Sequence, residues 1–426
     1  MNDATAPARH WQRLLTPFVL VLTHPGYARF AQWVTGTALG WEEHTITRVL
    51  TSMGLEDRWR VAGHGAGYGA FRREAVERPT RRLLEAEAAP RFGGYRVVAV
   101  DDATCHRTSE RVWGVCAFHE PAGRSPNRAS AVRAHNWVVA GGPVPGAPWA
   151  HLPHTSRLYV RGTQLPAGET FATETALAAA MVRHADADSP APVLAVLDGA
   201  YANKSVIRPC LAPRHGRRID VATRLRFGAR LYRPLEPPSG RRVGRPRRWG
   251  DRLPAPEHRD RWDVPWQAGE AYLCGRVGTF RVKGLSCRWS VTGPAESVRV
   301  FAVEVGGYAE PWFRVTTSAT LTAAEVAAVF AARFRQEGGF RDHEQRLGME
   351  ECRAWTKAPV ERTFATPVVA QALLRLLGRR RDADPAAGLE PAQVAPVSAR
   401  RAAGGVGRPG RVYRLPPAVG WCAGMQ

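Results

Sequence analysis

Two short apolar runs that each end at an acidic residue constrain this chain more than any other feature. Residues 95–100, Tyr-Arg-Val-Val-Ala-Val, precede Asp101 and Asp102, and residues 193–197, Val-Leu-Ala-Val-Leu, precede Asp198. Apolar runs of this length are typical of buried strands, and open α/β sheets place their functional side chains at the carboxyl ends of strands. A third acid, Glu337, lies in a long segment with helical periodicity. Three carboxylates so placed can bind a pair of divalent cations for displacement at a phosphodiester.

The segment that carries the third acid predicts one long helix over residues 322–348. Thr322 and Glu325 fit a capping box at its start, and Leu347-Gly348 fits a helix stop. Residues at spacings of three and four share one face of this helix: Phe330, Arg333, Glu337, Arg341 and Glu344. The internal pair Gly338-Gly339 costs about 1 kcal/mol per glycine relative to alanine, and indicates a bend or a close approach.

The charge of the chain predicts a polyanionic partner. The net charge is +22 and the pI about 10.8 over 426 residues, and a basic excess of this size favours DNA or RNA. The seven cysteines form no C-x-x-C pair and are odd in number, which disfavours a zinc site or a disulfide framework and suits a reducing cytoplasm. No signal peptide is recognisable, and the apolar stretch Phe18–Leu22 is too short to span a membrane. We therefore expect a cytoplasmic protein that binds no membrane.

Patterns along the chain predict an α/β protein with five parts. Residues 1–90 indicate a helical domain that could touch DNA, with helices over residues 11–23, 27–39, 42–53 and 70–87. Residues 91–218 indicate the first part of a catalytic core, with strands over 95–100, 112–118, 135–140 and 193–197 and a helix over 170–184. Residues 219–317 indicate a β-rich insertion, residues 318–384 the long helix and the last helices of the core, and residues 385–426 a basic, disordered tail.

Three ordered motifs resemble one family. They read VAVDDATCHR around Asp102, VLAVLDGAYANKSV around Asp198 and FAARFRQEGGFRDHEQRLG around Glu337. The chain resembles the DDE transposases of bacterial insertion sequences, in the branch with a Tyr-x2-Arg-x3-Glu-x6-Lys signature. The resemblance covers about residues 15–378. Any one motif alone would be weak, whereas three in this order are specific.

The resemblance implies a ribonuclease-H-like core interrupted by a β-rich insertion before the last acid. It implies two Mg2+ ions, with Mn2+ as a substitute, and double-stranded DNA as both element end and target, bound by a homodimer near the bacterial nucleoid. Carried over by position, Asp102, Asp198 and Glu337 are the catalytic, metal-binding acids. Asp101 is the rival for the first position, because adjacent strand residues point to opposite faces. Asp102 is preferred from the Asp-x-Thr pattern with Thr104.

Two positions depart from the family signature. Phe330 stands where the family has Tyr, and Glu344 stands where it has Lys, which loses a phosphate-binding cation. Arg341 and Arg346 are near enough to substitute for that Lys. The change favours, as an alternative, a transposase-derived DNA-binding protein with weakened or lost cleavage. A nuclease acting on RNA–DNA hybrids is a third hypothesis, which the insertion and the tail disfavour.

Further residues are candidates for contact with DNA. Arg333 either pairs with Glu337, four residues on, or contacts phosphate. Arg224 and Arg226 either line a DNA channel or are ordinary surface residues. Arg245 lies in Arg241–Arg248, which with Gly405–Arg411 resembles a minor-groove-binding Gly-Arg-Pro core, although a solvated basic loop is the favoured interpretation. Trp312 stands where hairpin-forming relatives stack a flipped base, but the 14 tryptophans of the chain favour a core role.

Overall fold

The structure, a computed structural model, describes residues 5–40, 42–69, 71–89, 91–119, 131–143, 151–214, 216–236, 245–273, 276–308 and 310–379. The predicted tail 385–426 lies outside these residues, as do Gly405–Arg411 and the first half of Arg241–Arg248. Within the described ranges, no helix has both the length and the apolar composition that a membrane crossing requires.

Helices lie at both ends of the described chain and between some of the strands. They are α1 (Ala6–Leu15), α2 (His24–Leu39), α3 (Ile46–Thr51), α4 (Trp59–Tyr68), α5 (Arg73–Ala88), α6 (Glu174–Ala187), α7 (Lys204–Leu211), α8 (Ala323–Arg333), α9 (Arg335–Arg346) and α10 (Lys357–Arg379). The strands are β1 (Arg91–Phe92), β2 (Tyr95–His106), β3 (Cys116–His119), β4 (Ala131–Pro143), β5 (His151–Tyr159), β6 (Val193–Leu197), β7 (Asp220–Arg224), β8 (Leu231–Tyr232), β9 (Gln267–Leu273), β10 (Arg276–Trp289), β11 (Ser297–Val305) and β12 (Trp312–Thr316).

One large mixed sheet organises the described chain and confirms the predicted mixed α/β class. Its strand order is β3-β4-β2-β6-β7-β12-β11-β10-β8, with β1, β5 and β9 paired to β2, β4 and β10. The pairs β2–β6 and β6–β7 are parallel, and the others are antiparallel. Because β7 pairs directly with β6, the strands of residues 219–317 continue the central sheet and do not form a separate one.

The strand before the first acids is longer than the sequence predicts. We expected it to end at Val100, whereas β2 runs through Asp101 and Asp102 to His106. The antiparallel partner β4 extends alongside, with Asp101 opposite Val139 and His106 opposite Ala134. Strand pairing therefore extends the backbone ladder past the point where the apolar pattern ends.

Helices cover both faces of the sheet. Val98 and Val100 of β2 pack with Leu197 of β6 in a core that includes α6 and α7. On the other face, Val97 packs with Leu194 and Val196 of β6 in a second core that includes α8. Because side chains alternate along a strand, each residue of β2 and β6 is assigned to one of these two faces.

The N-terminal helices pack against the C-terminal helix. Leu14, Phe18 and Phe30 share a core with Val369 and Leu373 of α10. Helix α4, with its glycines, was not predicted, because Gly63, Gly65 and Gly67 lower its helix propensity.

The helix predicted over residues 322–348 is instead two helices. Its predicted start is confirmed, since Thr322 and Glu325 form the capping box. Helix α8 ends at Arg333 and α9 begins at Arg335, so the break falls at Phe334, ahead of the Gly338-Gly339 pair. At Gly339 a Cβ would lie 3.5 Å from His151, an ordinary contact, and the Gly339 carbonyl accepts a hydrogen bond from Nε2 of Gln371 in α10 at 2.9 Å.

Four histidines on β4, β5 and α9 are buried. Burial is the largest cause of their lowered pKa values, which fall to about 4 for His135 and about 3 for His151 and His343, and well below the ordinary value for His154. Arg107 donates to Nδ1 of His135 at 3.1 Å, and Nε2 lies 2.9 Å from the Trp113 carbonyl oxygen. This pattern fits a neutral ring that donates through Nε2.

We expect the folded protein to lose stability as the pH falls below about 6.5. The unfolded chain binds protons on these histidines near pH 6.5, while the folded chain binds them only at lower pH, near 4 at His135 and near 3 at His151 and His343. Their stabilisation is therefore complete above pH 6.5 and is lost as the pH falls, by at most about 1.4 kcal/mol per pH unit for each group. Denaturant unfolding between pH 7 and pH 5 measures this slope.

A matched pair of variants tests the cause of the slope. His135→Gln retains a donor and an acceptor but no titrating ring, and should flatten the slope by one group's share. His64→Gln, at an exposed position, should leave the slope unchanged. A slope that is the same in the wild type and in His135→Gln contradicts the assignment.

Candidate active site

Asp101 and Asp198 lie side by side at one edge of the parallel strands. The β2–β6 register pairs Val100 with Leu197, so the next residue of each strand is an aspartate. Val100 and Leu197 both belong to the core under α6 and α7. By alternation, both aspartates point to the opposite face, toward α8.

The guanidinium of Arg333, the last residue of α8, joins these two aspartates. Nη1 donates to Oδ2 of Asp101, and Nη2 lies 3.2 Å from Oδ1 of Asp198. The Arg333 side chain is only 4% exposed, against 17% for Asp101 and 36% for Asp198. Its Cζ also lies 5.4 Å from the Phe330 ring centroid and 5.0 Å from that of Phe334. The cation is therefore held by two carboxylates and two aromatic rings.

Asp101 and Asp198, which we call the acidic cluster, carry more negative charge than the guanidinium between them can neutralise. Burial is the largest influence on Asp101 and raises its pKa to about 6; Asp102 and Asp198 also raise it, and Arg333 lowers it. One guanidinium thus contacts two carboxylates, Asp101 and Asp198, while the charge of Asp102 also acts on Asp101. A perturbed carboxyl of this kind, with named charge partners, is typical of functional sites.

Asp102, the predicted first acid, points to the other face of the sheet. Its Oδ1 accepts a hydrogen bond from the Tyr201 hydroxyl at 3.0 Å. Burial, followed by the charge of Asp102, raises the pKa of Tyr201, which keeps the phenol protonated as a donor. On the same side Nδ2 of Asn136 donates to Glu174 at 2.6 Å. Sequence reasoning passed over Tyr201, although it lies three residues after Asp198 in the quoted motif.

Glu337 lies one helical turn beyond Arg333, in the first turn of α9, and is exposed. A helix N-terminus favours a negative charge there. The neighbouring Gln336 is buried and donates through Nε2 to the Val139 carbonyl at 2.9 Å, and Val139 is the β4 partner of Asp101. The start of α9 is therefore fixed to the strand beside the aspartates, with Glu337 on its solvent side.

The aspartates fit a divalent cation by their chemistry. Mg2+ prefers oxygen ligands and is often bound by one or two carboxylates together with substrate phosphates, and the cluster has excess negative charge. Among the described residues, no three His, Cys, Asp or Glu side chains are grouped closely enough to hold a metal ion. The structure thus brings Asp101 and Asp198 together, and it does not bring Asp102 or Glu337 into the same group.

The predicted DNA-contact arginines differ in their positions. Arg224 ends β7, and a Cβ at Gly199 would lie 3.8 Å from the Arg224 Cδ, so the Arg224 side chain passes the turn after Asp198. Arg226, Arg341 and Arg245 are exposed. Arg333 is the exception, because it is buried between the aspartates; it does not form the ion pair with Glu337 that we considered.

The structure also shows the surroundings of Trp312, Phe330 and Glu344. Trp312 is half-buried, with its ring 5.3 Å from Cζ of Arg314. Cζ of Arg314 lies 4.0 Å from the Phe330 ring centroid, and Phe330 is buried in the core. Glu344 is exposed, and burial together with Glu350 raises its pKa.

Comparisons with known proteins place the chain in a family. A family model described as DDE superfamily endonuclease matches residues 45–279. A solved structure, the piggyBac transposase in a synaptic complex with hairpin DNA, is similar at 9% identity and a TM-score of 0.37, and the match covers 84% of this chain and 66% of that one. No curated protein matches the chain. The family match spans more than half of the sequence, and the protein belongs to the DDE superfamily endonucleases.

Proposed function

We propose that the protein is a DNA transposase of an insertion sequence, with a ribonuclease-H-like core, that cleaves element ends and joins them to target DNA. The observation that carries the proposal is the convergence of Asp101 and Asp198 on Arg333 at the ends of adjacent parallel strands. The net charge of +22 favours a DNA partner. We further propose that it acts as a homodimer on DNA.

The acids we propose for the chemistry are Asp101, Asp198 and Glu337. Asp101 replaces the Asp102 preferred from the sequence, because its side chain points toward α8 and Asp198. In this proposal the three acids hold Mg2+, or Mn2+ in its place, which supplies Lewis-acid activation of water and phosphate. Glu337 reaches the other two when α9 and the DNA are in their bound arrangement.

The reaction has two displacements of the same kind. Water attacks the phosphorus at the element end, the bond to the 3′ oxygen breaks, and the phosphate stays on the 5′ end of the flanking fragment. The released 3′-hydroxyl then attacks a target phosphodiester, and the target's own 3′ oxygen leaves. Charge develops on phosphate oxygens in each step, so Arg224 beside Gly199 is placed to stabilise it.

The alternative is a transposase-derived DNA-binding protein that no longer cuts. Arg333 favours it, because its guanidinium already supplies a cation between Asp101 and Asp198. Glu344 also favours it, because a negative charge stands where the signature has Lys. The two functions share the DNA partner and differ in cleavage.

Asp101→Asn should lower strand cleavage by at least about 100-fold and leave DNA affinity within a few-fold. The amide keeps the size of the side chain and removes the charge that binds a cation. Asp102→Asn is the matched control, with the same change one residue along on the other face, and should retain much more cleavage. Strand cleavage and DNA affinity are both measured on a labelled duplex with Mg2+ or Mn2+. Abolition of cleavage by Asp102→Asn, with an active Asp101→Asn, would assign the first acid to Asp102.

Arg333→Gln should make the fold more sensitive to divalent cations. Without the guanidinium, Asp101 and Asp198 face each other with no cation between them, which costs roughly 3–5 kcal/mol when one partner of a buried pair is removed. Millimolar Mn2+ should then raise the melting temperature of the variant more than that of the wild type. Arg341→Gln, an exposed arginine of α9, should show the wild-type response. Equal responses in all three proteins contradict a cation site at the aspartates.

Glu344→Lys should raise DNA affinity, because a repulsive charge in the signature position becomes attractive. Gln345→Lys is the control, since it adds a positive charge to the next position of α9, on a different face. Binding to a labelled element end at 50 and 200 mM salt compares the two. If Glu344→Lys changes neither affinity nor cleavage relative to Gln345→Lys, Glu344 is an ordinary solvated residue.

A further inference from the structure

A cavity of about 460 Å³ lies away from the aspartates, between α7 and the β8 edge of the sheet. We call it the basic pocket; its lining consists of Lys204, Arg208, Arg230, Tyr232, Arg248, Trp249, Ser290 and Pro294. None of these residues belongs to the acidic cluster.

Backbone contacts fix the walls of the basic pocket. The amide of Arg233 donates to the Asp251 carbonyl at 2.8 Å, and the amide of Leu253 donates to the Leu231 carbonyl at 2.9 Å. A Cβ at Gly250 would lie 2.5 Å from the Arg233 carbonyl oxygen, so only glycine allows this approach. The segment that carries Arg248 and Trp249 is therefore held against β8. From α7, Nε of Arg208 donates to the Val291 carbonyl at 3.0 Å.

The charge of the basic pocket is of one sign. Four cationic side chains line it and no acidic side chain does. Among the described residues, none of the four forms an ion pair, whereas the adjacent Arg247 pairs with Asp251 at 3.0 Å. Four like charges around one cavity repel one another, and a bound polyanion relieves that repulsion.

The basic pocket also has an aromatic wall. The rings of Tyr232 and Trp249 pack at 4.7 Å between centroids with a 32° tilt, and both are half-buried. Cations that track phosphates, beside aromatic rings on which bases stack, are the combination that binds single-stranded nucleic acid. Duplex DNA keeps its bases stacked on each other and offers only its phosphates to such a site.

We propose that the basic pocket binds an unpaired nucleotide segment of a DNA strand, with a base on the Tyr232–Trp249 pair and phosphates on Lys204, Arg208, Arg230 and Arg248. The Arg-Pro-Arg-Arg segment that begins at Arg245 leads directly into this site. The proposal rests on the proposed function only for DNA as the partner, since it needs no cleavage.

Binding of a labelled dT12 single strand to the full-length chain tests the proposal, without divalent cations and at 200 mM salt. Trp249→Leu removes the stacking ring but keeps an apolar side chain, and should weaken single-strand binding about 5- to 150-fold, as expected for a stacked base. Trp249→Phe should restore binding to within a few-fold, and it shows that the fold tolerates the position. Arg248→Ala should also weaken binding, whereas Arg233→Ala, an exposed arginine outside the lining, should not.

A duplex of the same length, a polyglutamate competitor and a cross-linking strand complete the test. The affinity for the duplex should change much less in Trp249→Leu, and polyglutamate should compete poorly. A strand with 5-iodouracil should cross-link to Tyr232 or Trp249. Equal weakening for duplex and single strand, strong competition by polyglutamate, or unchanged single-strand binding in Trp249→Leu overturns the proposal. Those results would not bear on cleavage at the Asp101 site. If, in contrast, the protein cleaves no duplex but its affinity for the single strand depends on Trp249, only the proposed cleavage function is overturned.

Discussion

The buried contact of Arg333 with Asp101 and Asp198 joins the helical layer to the ends of the central strands. It stands at the last residue of α8, beside the break at Phe334, and both neighbouring aromatic rings pack on the guanidinium. A buried charge left without its partner costs several kcal/mol, so the position of α8 over β2 and β6 depends on this contact. The same contact lowers the pKa of Asp101 against the effects of burial and two carboxylates. The Arg333 contact therefore both positions α8 and sets the balance of charge at the two aspartates.

The alternation of side chains along β2 gives its two adjacent acids different surroundings. Asp101 meets the guanidinium of Arg333 and a second carboxylate, Asp198. Asp102 meets the phenol of Tyr201, whose backbone amide donates to the Asp198 carbonyl at 3.1 Å. Asp102 thus supports the turn that follows Asp198, and its charge still contributes to the raised pKa of Asp101. In the proposed function, Asp102 therefore has a positioning role and Asp101 a direct one.

Local patterns predicted those parts of the fold that depend on neighbouring residues. Three such features can be read from the sequence: the five apolar residues of β6, the capping box of Thr322 and the helix stop at Gly348. In the structure Gly348 has a φ of +73°, which suits a glycine at a helix end. The sequence could not decide between Asp101 and Asp102, because that choice depends on which face of the sheet α8 covers. The extension of β2 to His106 depends on its partner β4, and the break at Phe334 accompanies contacts from Arg333 and Gln336 to distant strands. These are long-range effects that a single local segment does not encode.

The distribution of cations around the site determines how DNA can be held. The signature that the sequence resembles has an arginine and a lysine on the helix face of its glutamate; here Arg333 is sequestered by two aspartates and position 344 is acidic. The helix face alone therefore offers little free positive charge beyond Arg341. Further cations lie on the sheet side: Arg224 passes Gly199 next to Asp198, and four more line the basic pocket beyond α7. Helix α7, which carries two of these four cations, begins six residues after Asp198. In the proposed function, cations on the sheet side therefore supply the phosphate contacts that the face of α9, with Glu344, does not.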